Sequence, residues 1–123
     1  MAITTAKVVS DVCHRVMLAE AVTTGAISKQ SAPLLKRKPD IIRGLNRYWA
    51  LTAGIFELPI LLVDLDDTRL KQAQDMRLHH GLLTSDSLVL AAADEYAIGA
   101  LATLDSDFDD IHWLTVYKPT DVP

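Results

Sequence analysis

The sequence predicts an α/β domain, in which helices alternate with short strands of a parallel sheet. Apolar residues recur at helical spacing over several segments, and glycine or proline residues punctuate these segments. Short, almost entirely apolar runs follow the helical segments, as buried strands do. With 123 residues, of which 50% are hydrophobic and 23% are charged, the chain has the size and composition of one soluble globular domain.

The N-terminal half is predicted to contain two long helices and one strand. The first helix is expected from about Thr4 to Thr24, with Gly25 as its stop. Ser28 to Lys38 reads as a polar connection, after which Pro39 opens a second helix that runs to about Ile55. Pro59 breaks this pattern, and the apolar run from Ile60 to Leu65 is expected to be a strand.

The C-terminal half continues the alternation. Asp66 or Asp67 is expected to cap a helix that ends at about His80, before Gly81. Thr84 or Ser85 is expected to cap a helix of about three turns that ends by Gly99. Two further strands are predicted, at Ala100 to Leu104 and at Leu114 to Tyr117.

Three acids between Leu82 and Phe108 stand at positions that the predicted topology brings together. Asp86 lies in the first turn of a helix, and Asp105 and Asp107 lie just past the strand to which that helix returns. Helix and strand would cover similar lengths, so the acids should share one edge of the sheet. Close carboxylates repel unless a cation or a proton neutralises them, and clustered oxygen ligands suit Mg²⁺ or Mn²⁺. The alternative is ordinary helix-dipole and turn chemistry at each acid separately.

Charge is unevenly distributed along a chain whose formal net charge is −4. Half of the twelve basic residues lie between Lys29 and Arg47, and seven of the sixteen acids lie between Asp86 and Asp110. A metal-dependent enzyme acting on a phosphate-rich substrate would use both groups, although a solvated basic loop explains the first equally well. Cys13 is the single cysteine, which excludes an internal disulfide, and apolar runs are too short for a membrane span. We therefore expect a cytoplasmic protein.

Two segments carry a resemblance to a known family. The segment GLLTSDSLVLAAADEYAIGALATLDSDFDDIHWLTVYKPTD resembles the C-terminal half of PIN-domain nucleases, particularly the VapC-type toxins of type II toxin-antitoxin systems. Its distinctive parts are an Asp that opens a helix after Leu-Thr-x, the sequence Ala-Thr-x-Asp-x-Asp-Phe, and a closing Val-Tyr-x-Pro. The segment VVSDVCHRVMLAE is similar to the PIN helix that supplies a second acid, with Asp11 at the matching position.

The resemblance implies a PIN-like fold, a three-layer α/β/α arrangement around a parallel sheet. It also implies a Mg²⁺- or Mn²⁺-dependent endoribonuclease of the VapC toxin type that hydrolyses RNA phosphodiester bonds. Asp11, Asp86, Asp105 and Asp107 would be its catalytic residues and metal ligands. Thr103 would orient these ligands without binding the metal itself. The expected partners are an RNA substrate, a cognate antitoxin protein and a second copy of the chain in a homodimer.

The chain departs from the family pattern at its start. PIN domains begin with a strand that carries an acid, followed by a helix, whereas Asp11 is only the eleventh residue here. We therefore expect one domain over residues 1–123 that is N-terminally incomplete, without the family's first strand, first helix and first acid. A start placed too late, a remnant with decayed chemistry, and a second chain that completes the site are all compatible with this. A catalytically impaired PIN remnant that binds or dimerises with proteins, and a purely structural α/β domain, are the alternatives to the nuclease.

Overall fold

The computed structural model describes residues 2–120, which form two compact units divided between Asp64 and Leu65. Each unit combines helices with one pair of parallel strands. The predicted α/β class with parallel strand pairing is therefore confirmed. In the described residues no helix has the length and hydrophobicity needed to span a membrane.

The first unit pairs a strand at its start with a strand at its end. Its elements are β1 (Ala2–Thr5), α1 (Ala6–Thr23), α2 (Ala32–Lys36), α3 (Pro39–Gly44), α4 (Arg47–Ile55) and β2 (Ile60–Val63). The two strands run parallel, with Ala2 opposite Ile60 and Thr5 opposite Val63. Thr5 both ends β1 and caps α1, because its hydroxyl oxygen accepts a hydrogen bond from the Val8 amide at 3.2 Å.

The predicted first helix is confirmed as α1, but it begins at Ala6 and not at about Thr4, because Ala2–Thr5 is a strand, which carries no acidic residue. Ile3, Thr4 and Thr5 are β-branched and suit a strand, but the run is too short to be separated by periodicity from the helix that follows. Its partner lies at the far end of the unit, and strand pairing over that separation leaves no local sequence pattern.

The prediction of a single helix from Pro39 to Ile55 is wrong, because this segment forms two helices separated at Leu45 and Asn46. Leu45 is extended, and Asn46 provides no side-chain cap for α4. The cap comes instead from α1: the buried Glu20 carboxylate accepts hydrogen bonds from the amides of Asn46, at 2.9 Å, and Arg47. This carboxylate accepts hydrogen bonds from N–H groups that have no partner within the helix. Its negative charge also interacts favourably with the positive N-terminal end of the α4 helix dipole.

The second unit contains α5 (Asp67–His80), α6 (Thr84–Glu95), β3 (Ala100–Ala102), a short 3₁₀ helix (Ser106–Phe108) and β4 (Thr115–Tyr117). The predicted caps of α5 are confirmed. The Asp66 carboxylate accepts from the Arg69 amide at 2.9 Å, and Gly81 adopts the left-handed conformation after the last turn, with φ of 66°. Strands β3 and β4 pair in parallel, with Leu101 opposite Val116.

The prediction that Thr84 or Ser85 caps α6 is wrong, since Leu83 occupies that position without a side-chain hydrogen bond. The predicted length of about three turns is confirmed, since the helix ends at Glu95, shortly before Ala97, which has a left-handed conformation with φ of 53°. A core of five buried side chains fills the unit: Leu82, Leu90, Phe108, Ile111 and Leu114. Because Phe108 belongs to this core, the 3₁₀ helix is anchored beside β3 and β4.

Candidate metal centre

Three aspartates of the second unit form an acidic cluster, which comprises Asp86, Asp105 and Asp107. Asp86 lies in the first turn of α6, and the other two lie in the turn that follows β3. One carboxylate oxygen from each residue lies within 4.8 Å of those from the other two. Asp86 is partly buried, whereas Asp105 and Asp107 are exposed.

Local hydrogen bonds order the turn that carries Asp105 and Asp107. The Asp105 amide donates to the Thr103 hydroxyl at 3.1 Å. One oxygen of the Asp105 carboxylate in turn accepts from the Asp107 amide at 3.0 Å and so caps the 3₁₀ helix. Thr103 was expected to orient the site, and its hydroxyl does contact the backbone of a cluster residue. A second oxygen of Asp105 remains outside this capping bond, where a cation could approach it.

The first turn of α6 is held by contacts that the sequence did not indicate. The Ser87 hydroxyl, which is fully buried, donates to the Thr84 carbonyl at 2.6 Å and accepts from the Arg77 guanidinium at 2.9 Å. Arg77 lies in the last turn of α5 and also donates to the Gln74 side chain. Because Ser87 follows Asp86 directly, this bond fixes the helical turn from which Asp86 projects. No spacing rule links Arg77 to Ser87, since their contact depends on how α5 packs on α6.

The electrostatic environment of Asp86 disfavours its charge. Burial raises the pKa of this carboxyl above its ordinary value of 3.8, and the neighbouring charge of Asp105 and the hydrogen bond and charge of Asp107 raise it further. Among residues 2–120, no lysine or arginine forms an ion pair with any of the three cluster carboxylates. Residues 2–120 therefore hold three carboxylates together without an ion pair to a lysine or an arginine.

This donor set fits a hard divalent cation. Carboxylate oxygens are the ligands that Mg²⁺ and Mn²⁺ prefer, and a bound cation would relieve the repulsion that raises the pKa of Asp86. Asp86, Asp105 and Asp107 each offer one carboxylate oxygen within 4.8 Å of the other two, so these three residues would hold such a cation.

Asp11, the fourth predicted site residue, lies on α1 in the first unit. Its exposed carboxylate is bound by the Lys7 ammonium at 2.6 Å, one helical turn earlier. The closely spaced group in the structure thus comprises three of the four predicted acids, and the role of Asp11 stays a prediction.

Comparisons with known proteins bear directly on the fold and the cluster. The family described as "PIN domain" matches residues 14–114, which include the whole acidic cluster but not Asp11. The protein named Ribonuclease VapC6 from Methanocaldococcus jannaschii is 30% identical over 87 residues, which cover 64% of this chain and 57% of that protein.

The chain thus spans less than two thirds of the length of the curated relative that it matches. No solved structure gives a significant match. Because the family match extends over most of the chain, and the parallel α/β units and the motif around the cluster agree with it, this chain belongs to the PIN-domain family.

Proposed function

We propose that this chain is a Mg²⁺- or Mn²⁺-dependent endoribonuclease of the VapC toxin type, a hydrolase that cleaves RNA phosphodiester bonds. The observation that carries the proposal is the acidic cluster, whose carboxylates lie within 4.8 Å of one another without an ion-pairing lysine or arginine in residues 2–120. Membership of the PIN family and similarity to a relative named as a ribonuclease support the choice of RNA as the substrate.

In this proposal Asp86, Asp105 and Asp107 hold the cation, and Asp11 stays a predicted metal-binding acid that rests on the resemblance to the family. When bound, a divalent cation makes water more acidic and offsets negative charge on the phosphodiester. Thr103 keeps the Asp105 backbone in place, and Arg77 does the same for the first turn of α6 through Ser87. Water adds to phosphorus, the bond to the 3′ oxygen breaks, and that oxygen takes up a proton.

The basic segment between Lys29 and Arg47 supplies charges for the RNA backbone in this proposal. The lysines and arginines of the segment are exposed. Lys38 donates to the Ala26 carbonyl and Arg43 pairs with Asp40, whereas the exposed side chains of Lys36 and Arg37 form no hydrogen bond or ion pair within residues 2–120. Such charges bind phosphate groups independently of the nucleotide sequence, and their contribution to RNA affinity falls as the salt concentration rises.

A toxin of this type would act in the cytoplasm, be bound by a cognate antitoxin, and form a homodimer. We include these properties in the proposal because of the similarity to the VapC-named relative.

The second candidate function, a protein-binding or dimerisation module without catalysis, is favoured by exposed apolar side chains of the first unit. Trp49, Leu51, Phe56 and Leu58 are each more than half exposed. Trp49 and Phe56 also line a groove of about 440 Å³ with Met17 and Leu62. Apolar patches of this kind commonly mark binding surfaces. This function predicts partner binding that is independent of the acidic cluster.

The Asp86→Asn variant separates the two functions. We expect the wild-type protein to bind Mn²⁺ in calorimetric titrations, and to cleave a 5′-labelled RNA hairpin in Mn²⁺ but not in EDTA. Asp86→Asn should abolish both properties, because it removes one ligand of the cation. Asp94→Asn, which changes an exposed acid at the other end of α6, is the matched control and should retain both. Failure of the wild type to bind Mn²⁺ would rule out the nuclease and leave the binding module.

A further inference from the structure

The turn between β3 and β4 bears two of the three cluster acids, and two local hydrogen bonds, to the Thr103 hydroxyl and the Asp105 carboxylate, order its backbone. Its 3₁₀ helix contains only three residues, and Asp105 and Asp107 are both exposed. Phe108 anchors the turn in the core from one side. Contacts made to the exposed side of the turn can therefore restrain the two carboxylates further.

Lys118 makes such contacts from the residue that follows β4. Its ammonium donates to the backbone carbonyl of Asp105 at 2.8 Å and pairs with the Asp109 carboxylate at 3.0 Å. One side chain therefore joins the residue before the 3₁₀ helix to the residue after it. The side chains of Lys118 and Asp109 are 41% and 47% exposed.

The ammonium of Lys118 is directed at a carbonyl and at Asp109, and it forms no ion pair with the cluster carboxylates. It is therefore not the cation that neutralises the acidic cluster. Its two bonds instead restrain the backbone from which Asp105 and Asp107 project.

We propose that Lys118 is a positioning residue, which holds the Asp105–Asp109 turn in the conformation that binds a divalent cation. This inference rests on the proposed metal-dependent function. Mg²⁺ and Mn²⁺ sites demand defined ligand geometry, so a turn that moves between several conformations binds the cation less tightly. Contacts one shell away from the ligands commonly change metal affinity by about 10- to 100-fold.

The direction of the change in cation affinity when Lys118 is replaced distinguishes a positioning role from a purely electrostatic one. Removing a positive charge beside an acidic cluster should strengthen the binding of a divalent cation, because the cation meets less repulsion. Removing a positioning contact should weaken it. Lys118→Met keeps much of the length of the side chain and removes both the charge and the hydrogen bonds, so the two roles predict opposite changes.

We expect Lys118→Met to weaken Mn²⁺ binding by about 10-fold in calorimetric titrations of the full chain. The midpoint of urea unfolding without metal should change little, because an exposed ion pair contributes little to stability. Lys118→Arg keeps the donors and should restore affinity to within about threefold of wild type. Lys71→Met, which removes an exposed lysine paired with Asp67 in the same unit, is the control and should have no effect.

Unchanged or tighter Mn²⁺ binding by Lys118→Met would overturn the positioning role. So would a loss of affinity that Lys118→Arg does not restore. If the wild type binds Mn²⁺ and Asp86→Asn abolishes that binding, either outcome overturns this inference alone. If the wild type does not bind Mn²⁺, the proposed function and this inference both fail.

Discussion

Two acids of the first unit differ from the acidic cluster of the second unit in how the chain compensates their charge. In the first unit, Asp11 is bound by Lys7, and buried Glu20 accepts hydrogen bonds from backbone amides at the start of α4. In the second unit, the acidic cluster gathers three carboxylates, and repulsion within it helps to raise the pKa of Asp86. A charge that the chain itself compensates serves structure, whereas a group of charges that it leaves uncompensated is suited to an external cation.

The largest effect expected from a residue outside the acidic cluster is that of Asp11, a predicted metal-binding acid whose carboxylate pairs with Lys7. If it is the fourth metal-binding acid, Asp11→Asn should reduce the rate of RNA cleavage in Mn²⁺ by about 10- to 100-fold. Cleavage of a 5′-labelled RNA hairpin measures this rate. Asp40→Asn is the control, because Asp40 is also an exposed acid of the first unit that pairs with a nearby cation, Arg43. Equal rates for the two variants would make Asp11 only the partner of Lys7.

The next effect concerns Glu20, whose buried carboxylate accepts hydrogen bonds from two backbone amides. Glu20→Ala should lower the free energy of unfolding by about 1–3 kcal/mol, because the amides of Asn46 and Arg47 lose a charged acceptor. Glu20→Gln retains an acceptor oxygen and should cost less. Urea denaturation followed by tryptophan fluorescence measures both. Glu57→Ala, at an exposed acid of the same unit, should be nearly neutral, and a similarly small loss for Glu20→Ala would refute the cap.

The smallest effect concerns the repulsion within the cluster in the absence of metal. The folded chain raises the pKa of Asp86 above 3.8, so it holds this proton more tightly than the unfolded chain does. The stability that this group contributes is therefore fully present below pH 3.8, and it is lost as the pH rises through the pKa of the folded state.

Asp86→Asn removes this pH-dependent loss. At neutral pH in EDTA the variant should be more stable than wild type by up to about 1 kcal/mol, the scale of partly exposed charge interactions. Urea unfolding at several pH values should show the two proteins diverging as the pH rises, while Asp94→Asn follows wild type. If the stabilities of wild type and Asp86→Asn changed in parallel with pH, ionisation of Asp86 would not destabilise the folded chain, which would contradict the prediction.

The sequence predicts an element correctly where the contacts that stabilise the element lie within a few residues of it. Both ends of α5 were predicted, since Asp66 and Gly81 contact the helix that they delimit. The placement of Asp86 in the first turn of its helix, and of Asp105 and Asp107 after a strand, was predicted for the same reason. Strand β1 and the break between α3 and α4 were missed, because β2 and Glu20 stabilise them from distant positions.

The sequence alone thus determined the α/β class, the helices with local caps, and the residues that resemble the PIN motif. Only the tertiary structure decided that the carboxylates of Asp86, Asp105 and Asp107 lie within 4.8 Å of one another. It also decided that Arg77 reaches Ser87 and that Lys118 spans the turn beside the cluster. Periodicity and capping act over one or two helical turns, whereas these contacts depend on how separate elements pack.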